Sequence, residues 1–332
     1  MSTSTKPVSK RSRAIPATMR AAAIDRFGPP EVLTTHVLPV PTTGPHEVLI
    51  AVHAAGVGIW DAELRKGAYA EGGERFPMIL GTDGAGIIAE VGKDVRRFKS
   101  NDQVWAYEFG NPKGGFYAEY VAVKANSVGP APKELTLLEA GASAVTGLTA
   151  LQGVDDHLHL AKTDTVLVFG ATGAVGTLAV QFAQRTGAHV VATASTARGE
   201  KTLHELGIEM VFDPRADDAS QRVTTFAPQG LTAVLALAGG DALERCIDHV
   251  VEGGRVAHPN GVEPEPRKRP KIKVSGYDAA AGPDEFERLN RAVTESRLRV
   301  VIDSKYTLEE AAEAHARLER AHVVGRVVLQ IG

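Results

Sequence analysis

The chain has 332 residues, 37 Lys and Arg against 40 Asp and Glu, a formal charge of -3 and 43% hydrophobic residues. These proportions exclude a disordered chain, a collagen-like repeat and a bulk polyanion binder, and the length suits about two domains. The single cysteine, Cys246, excludes an intramolecular disulfide framework and any multi-cysteine zinc or iron–sulfur centre; a reducing, cytoplasmic location is expected.

Residues 1–18 hold Lys6, Lys10, Arg11 and Arg13 and no acid. With Pro7, Pro16 and no apolar core, this segment suits neither a secretory signal nor an amphipathic transit helix, and a disordered basic tail is expected over 1–18. From Met19 to about Lys124, β-branched and alternating runs at 47–52, 85–91 and 116–123, separated by Gly, Pro and Asn, predict a β-rich domain. After Glu134 helical stretches alternate with short apolar runs at 165–169, 188–193, 210–212, 233–237, 255–257 and 272–274. That rhythm predicts βαβ units and a mostly parallel sheet, hence an α/β chain. Strand signals return at 299–302, followed by a helix over 307–320, in which Thr307 and Glu310 have capping-box spacing, and a last strand over 326–331. The expected organisation is a first domain from 19–124 and 298–332, with a second domain, 125–297, inserted in it.

Residues 165–184 carry no charge over a length that would span a bilayer. Their glycines argue otherwise: an apolar run, Val166 to Phe169, then Gly170, Gly173 and Gly176, predicts strand, tight turn and helix, and no membrane association. A dinucleotide pyrophosphate needs this arrangement, because glycines let the backbone approach the phosphates and a helix N-terminus offers unpaired N–H groups. Gly170, Thr172, Gly173, Ala174 and Val175 are therefore candidate cofactor contacts, although the G-x-x-G-x-x-G spacing departs from the usual fingerprint. The next strand ends without the acid that would hold an NAD ribose; Ser195, Arg198 and Lys201 follow and suit a 2′-phosphate, so NADPH is expected. Ala238, Gly239 and His258, after the fourth and fifth strands, should face the same crevice. Plain turn chemistry accounts for the glycine about as well, and a histidine after a strand also serves structural roles.

Taken together, these residues resemble the medium-chain dehydrogenase/reductase superfamily, in its zinc-free quinone oxidoreductase (zeta-crystallin-like) branch. The resemblance runs from Met19 onward through Gly28-Pro-Pro-Glu-Val-Leu33, Ala54 to Asp61, Gly81-Thr-Asp-Gly-Ala-Gly86, Thr146-Gly-Leu-Thr-Ala150, the glycine turn and Gly325-Arg-Val-Val-Leu329. It implies a GroES-like catalytic domain and an inserted Rossmann domain that is a doubly wound parallel sheet. It further implies Thr146 beside the nicotinamide, Tyr69 at the substrate mouth as a hydrogen-bond donor, Trp60 stacked on a flat acceptor, and Arg326 among the cofactor contacts. Zinc-dependent relatives carry Cys where this chain has Gly58 and His-Glu where it has Thr82-Asp83, so no catalytic metal is expected. Asp83 is expected to accept loop hydrogen bonds and Asp61 to organise the loop backbone. Quinone reductases of the branch usually have Asn at position 58. The implied activity is NADPH-dependent hydride transfer to a quinone or an α,β-unsaturated carbonyl, in a homodimer. An alternative is a low-turnover NADPH-binding protein that acts by binding RNA or a protein partner. The basic tail and the cations of 267–273 support it, but solvated surface charge explains both more simply, and nucleic acid is not favoured.

Overall fold

The computed structural model describes residues 15–70, 72–320 and 322–332. Most of the expected basic tail therefore lies outside the described residues; the first strand, Thr18–Ile24, begins one residue before the expected boundary.

The inserted sheet has six parallel strands in the order Met210–Phe212, His189–Thr193, Thr165–Phe169, Leu231–Ala236, Val250–Pro259 and Lys273–Tyr277. Both faces are buried, which explains why its central strands read as unbroken apolar runs. Val166, Val168, Ala233 and Leu235 pack with Leu178 and Phe182 of the helix Ala174–Arg185, while Leu167, Phe169, Val234 and Ala236 face Val223 and Leu243 on the other side. Strand order reverses between Thr165–Phe169 and Leu231–Ala236, and a crevice opens beyond their carboxyl ends.

The other domain is built on the long strand Glu47–Val57. Asp83–Val91 pairs along one of its edges; along the other, Tyr120–Lys124 pairs with its first half and Arg326–Gln330 with its second. Segments from before and after the parallel sheet thus meet in one sheet, while the first strand, Thr18–Ile24, pairs in a separate three-stranded sheet. This sheet does not end at Lys124: Val128–Pro130 pairs with Gln103–Tyr107, and the helix Leu137–Gln152 packs on Glu47–Val57 and Asp83–Val91.

Two local expectations are corrected. The strand expected over 299–302 forms instead at Ile302–Tyr306, because the Gln181 side chain accepts from the Arg299 N–H and donates to its C=O, both at 2.9 Å. The helix expected from Thr307 begins at Ala311; the Glu310 carboxylate accepts from the Thr307 N–H at 2.7 Å, but the Glu310 N–H goes to the Thr307 carbonyl. Residues 307–310 are therefore a turn with half a capping box. No helix among the described residues is long and apolar enough to cross a membrane.

Candidate active site

A cavity of about 610 Å³ lies between the two domains, at the point where the parallel sheet reverses its order. Its inserted-domain wall is mostly backbone. Gly170, at φ +82°, turns the chain out of the first strand, and its N–H is held by Thr193 Oγ1 at 2.9 Å. A Cβ on Gly176 would lie 2.5 Å from the Gly170 carbonyl oxygen, so glycine is what lets the helix close on the turn. The first intrahelical N–H bond is donated by Thr177 to Gly173. The amides of Ala174, Val175 and Gly176 precede it, and all three residues line the cavity. This cradle fits the diphosphate of a dinucleotide. Ala238 and Gly239 line the same wall.

The facing wall is made of side chains. At the start of the helix Ile59–Lys66 the Gly58 N–H donates to Asp61 Oδ2 at 2.8 Å. A Cβ on Gly58 would meet the Trp60 indole at 2.4 Å, so the ring fills the space that a side chain at position 58 would occupy. Trp60 Nε1–H donates to Thr82 Oγ1 at 2.6 Å, and the Arg326 guanidinium lies 5.2 Å from the ring centroid. Arg326 in turn donates to Asp83 at 2.7 Å, and the Val145 N–H donates to the other oxygen of Asp83 at 3.2 Å. Trp60, Arg326, Tyr69 and the buried Thr146 all line the cavity. The Tyr69 hydroxyl donates to Glu63 at 2.7 Å, and this bond, ahead of partial burial, pushes its pKa up to about 12.

Behind this wall runs a buried chain of polar side chains. Arg65 donates to His315 Nδ1 at 2.9 Å and to Glu319 at 2.6 Å. Because Arg is donor-only, the His315 proton sits on Nε2, which donates to the Tyr117 hydroxyl at 3.2 Å; Tyr117 then donates to Asp61 Oδ2 at 3.3 Å. Burial, then the Arg65 charge, pushes the His315 pKa down to about 3. Burial, then the nearby Asp83, pushes Asp61 up to about 7, and its Oδ1 has no hydrogen-bond partner.

Five expected contacts do not line the cavity: Thr172, Ser195, Arg198, Lys201 and His258. The Thr172 carbonyl accepts from the Gly325 N–H at 2.8 Å. Arg198 reaches Asp303 at 3.1 Å, and Lys201 is exposed, 3.8 Å from Glu205. His258 is buried, with Nδ1 3.3 Å from the Pro259 carbonyl oxygen. Sequence reasoning missed Arg215, whose guanidinium donates to the Ser195 carbonyl at 2.7 Å and pairs with Asp213. Its signal was a cation just past the third strand. It also missed Glu63 and Asn260 in the cavity lining. In the basic segment, Arg267 pairs with Asp241, Arg269 with Glu244 and Asp248, and Lys271 with Glu252, so three of its five cations face an acid. Among the described residues no three His, Cys, Asp or Glu side chains form a metal-ligand group.

Residues 44–133 match the alcohol dehydrogenase GroES-like domain model and residues 206–329 the zinc-binding dehydrogenase model. A quinone oxidoreductase of Lama guanicoe is 31% identical over 94% of this chain and 97% of its own length. Solved structures include an NAD-dependent alcohol dehydrogenase (32% identity, TM-score 0.87, covering 95% of this chain and 100% of its own) and a mycobacterial protein complexed with NADPH (26%, TM-score 0.82, 94% and 99%). With a nicotinamide-type cradle, a paired-domain cleft and these relatives, the chain is an NAD(P)H oxidoreductase and belongs to the medium-chain dehydrogenase/reductase superfamily, in its quinone oxidoreductase branch.

Proposed function

We propose that this oxidoreductase is a zinc-independent, NADPH-dependent reductase that delivers hydride to a quinone or an α,β-unsaturated carbonyl. The observation that carries the reading is the use made of the metal positions: Gly58 has no side chain, Thr82 accepts from Trp60, and Asp83 is committed to Arg326 and Val145. These groups fit hydride chemistry on an acceptor that is already electrophilic, with no Lewis acid needed. The bound cofactor supplies the hydride. The amides of Ala174 to Gly176 hold its diphosphate, Thr146 closes the cavity beside the nicotinamide, and Trp60 offers an aromatic face to a flat acceptor. The reaction consumes one further proton, giving a hydroquinone or a saturated carbonyl. Tyr69 already donates its proton to Glu63, so water at the open mouth is assigned the proton and Tyr69 an orienting role. NADPH is favoured over NADH because the strand His189–Thr193 ends without an acid and Arg215 lies beside Ser195 just past it. A homodimer is assigned to the edge strand Lys273–Tyr277 of the inserted sheet. The RNA-binding alternative is less supported, because three of the five cations of 267–273, Arg267, Arg269 and Lys271, are paired with acids.

The test is NADPH oxidation with 1,4-benzoquinone, 9,10-phenanthrenequinone, an alkenal and a cyclic enone, each with and without EDTA. Turnover of at least one acceptor class is expected, undiminished by EDTA. Activity abolished by the chelator would sink the zinc-independent mechanism.

A further inference from the structure

Four charged side chains line the cavity, Glu63, Glu263, Arg320 and Arg326, and they are unevenly placed. The inserted-domain wall ends in the N-terminus of the helix Ala174–Arg185, which favours anions. On the opposite wall the Glu63 carboxylate lines the cavity, accepts from the Tyr69 hydroxyl, and forms no salt bridge among the described residues. Of the two cations on that side, Arg326 is matched by Asp83, whereas Arg320 forms no salt bridge among the described residues and has no part in the Tyr69–Glu63 pair. Arg320 also lines the cavity, on the segment that returns through Gly325 to the glycine turn.

Tyr69 feels the acids of this end directly. Its pKa is pushed up to about 12 by its bond to Glu63, with burial and the charges of Glu63 and Asp278 adding to it.

We propose that Glu63 sets the charge selectivity of the acceptor end, admitting neutral acceptors and disfavouring those that carry a carboxylate or sulfonate. This rests on the reductase reading for the identity of the two ends. A carboxylate at the mouth repels an incoming anion, while Tyr69, held by that carboxylate, presents lone pairs and no free proton. A neutral ring pays no such penalty and packs against Trp60 and Ile59.

The test uses isothermal titration of the NADP⁺-loaded protein with 2-naphthol and with naphthalene-2-sulfonate, a neutral and an anionic ring of matched shape. The wild type should bind the sulfonate more weakly. Glu63→Gln should tighten the sulfonate about tenfold at low salt and leave the naphthol within about twofold, the order expected of one unit charge acting over several ångströms near a protein surface. Tyr69→Phe removes the hydroxyl and keeps the charge, so discrimination should persist. Equal shifts for both ligands in Glu63→Gln, an unchanged sulfonate affinity, loss of discrimination in Tyr69→Phe alone, or failure of both rings to bind would overturn the assignment. The contrast is read without turnover. Absent NADPH oxidation with 1,2-naphthoquinone, alongside an intact binding contrast, would count against the reductase reading and not against the role of Glu63.

Discussion

The inserted-domain wall of the cleft works through what its residues lack, and the facing wall through what its side chains carry. Gly170, Gly173 and Gly176 shape the turn that leaves the amides of Ala174, Val175 and Gly176 at the cavity, and the sheet behind them is apolar on both faces. Across the gap, Arg65, Asp61, Asp83, His315 and Arg326 are all buried, and each is held by at least one specific partner, although Asp61 Oδ1 and Arg326 Nε have none. A generic cofactor cradle is therefore tolerant of side-chain detail, whereas the acceptor side depends on a few buried polar groups whose loss leaves others unpaired.

The sharpest way to break this contrast is Arg65→Met. Arg65 is fully buried and bonds the Gly28 carbonyl, His315 and Glu319, so it ties three segments of the first domain together. A loss of about 3–5 kcal/mol is expected in urea unfolding, as for other broken buried ion pairs. A loss within the range of surface substitutions would mean that the polar chain contributes little.

A smaller effect concerns acidity. His315 is neutral in the native state, with a pKa near 3 against 6.5 in the unfolded chain. Its contribution is complete above pH 6.5 and is lost as pH falls toward 3, because the unfolded state then binds a proton that the native state refuses. At pH 5 the loss is about 2 kcal/mol. His315→Gln, which can still accept from Arg65 and donate to Tyr117, should flatten this slope in unfolding measured from pH 7.5 to 5. Asp61 acts in the opposite sense: its raised pKa gives stability below about pH 3.8 that is lost as pH rises through about 7.

The smallest effect belongs to the inserted domain. Arg215 is exposed and already paired with Asp213, so Arg215→Ala should weaken NADPH binding by a few-fold and leave NADH unchanged in fluorescence titration. Equal losses would remove it from the 2′-phosphate assignment.

How legible each wall was in the sequence follows from the same contrast. Glycine spacing after an apolar run is a local signal, and the turn it marks lines the cavity. Local signals failed where a distant group intervened. Thr136 and Glu139 form a full capping box at the helix Leu137–Gln152, whereas Thr307 and Glu310, with identical spacing, form only half of one. Nothing local separates them. The strand expected at 299–302 was displaced by a side chain 118 residues away in sequence. The role of Trp60 likewise depends on Gly58, Thr82 and Arg326 meeting in space. Glu63 was overlooked because an acid on an amphipathic helix reads as solvated surface.

The bond from the Gly325 N–H to the Thr172 carbonyl stitches the returning chain to the glycine turn at the back of the cleft. Gly325 also forms a bridge with Gly173 and precedes the strand that carries Arg326. If the two domains open to exchange ligands with this bond intact, the turn becomes the pivot. The diphosphate end of the cleft would then move least and the Tyr69 rim most, so that acceptor entry and cofactor retention are mechanically separable.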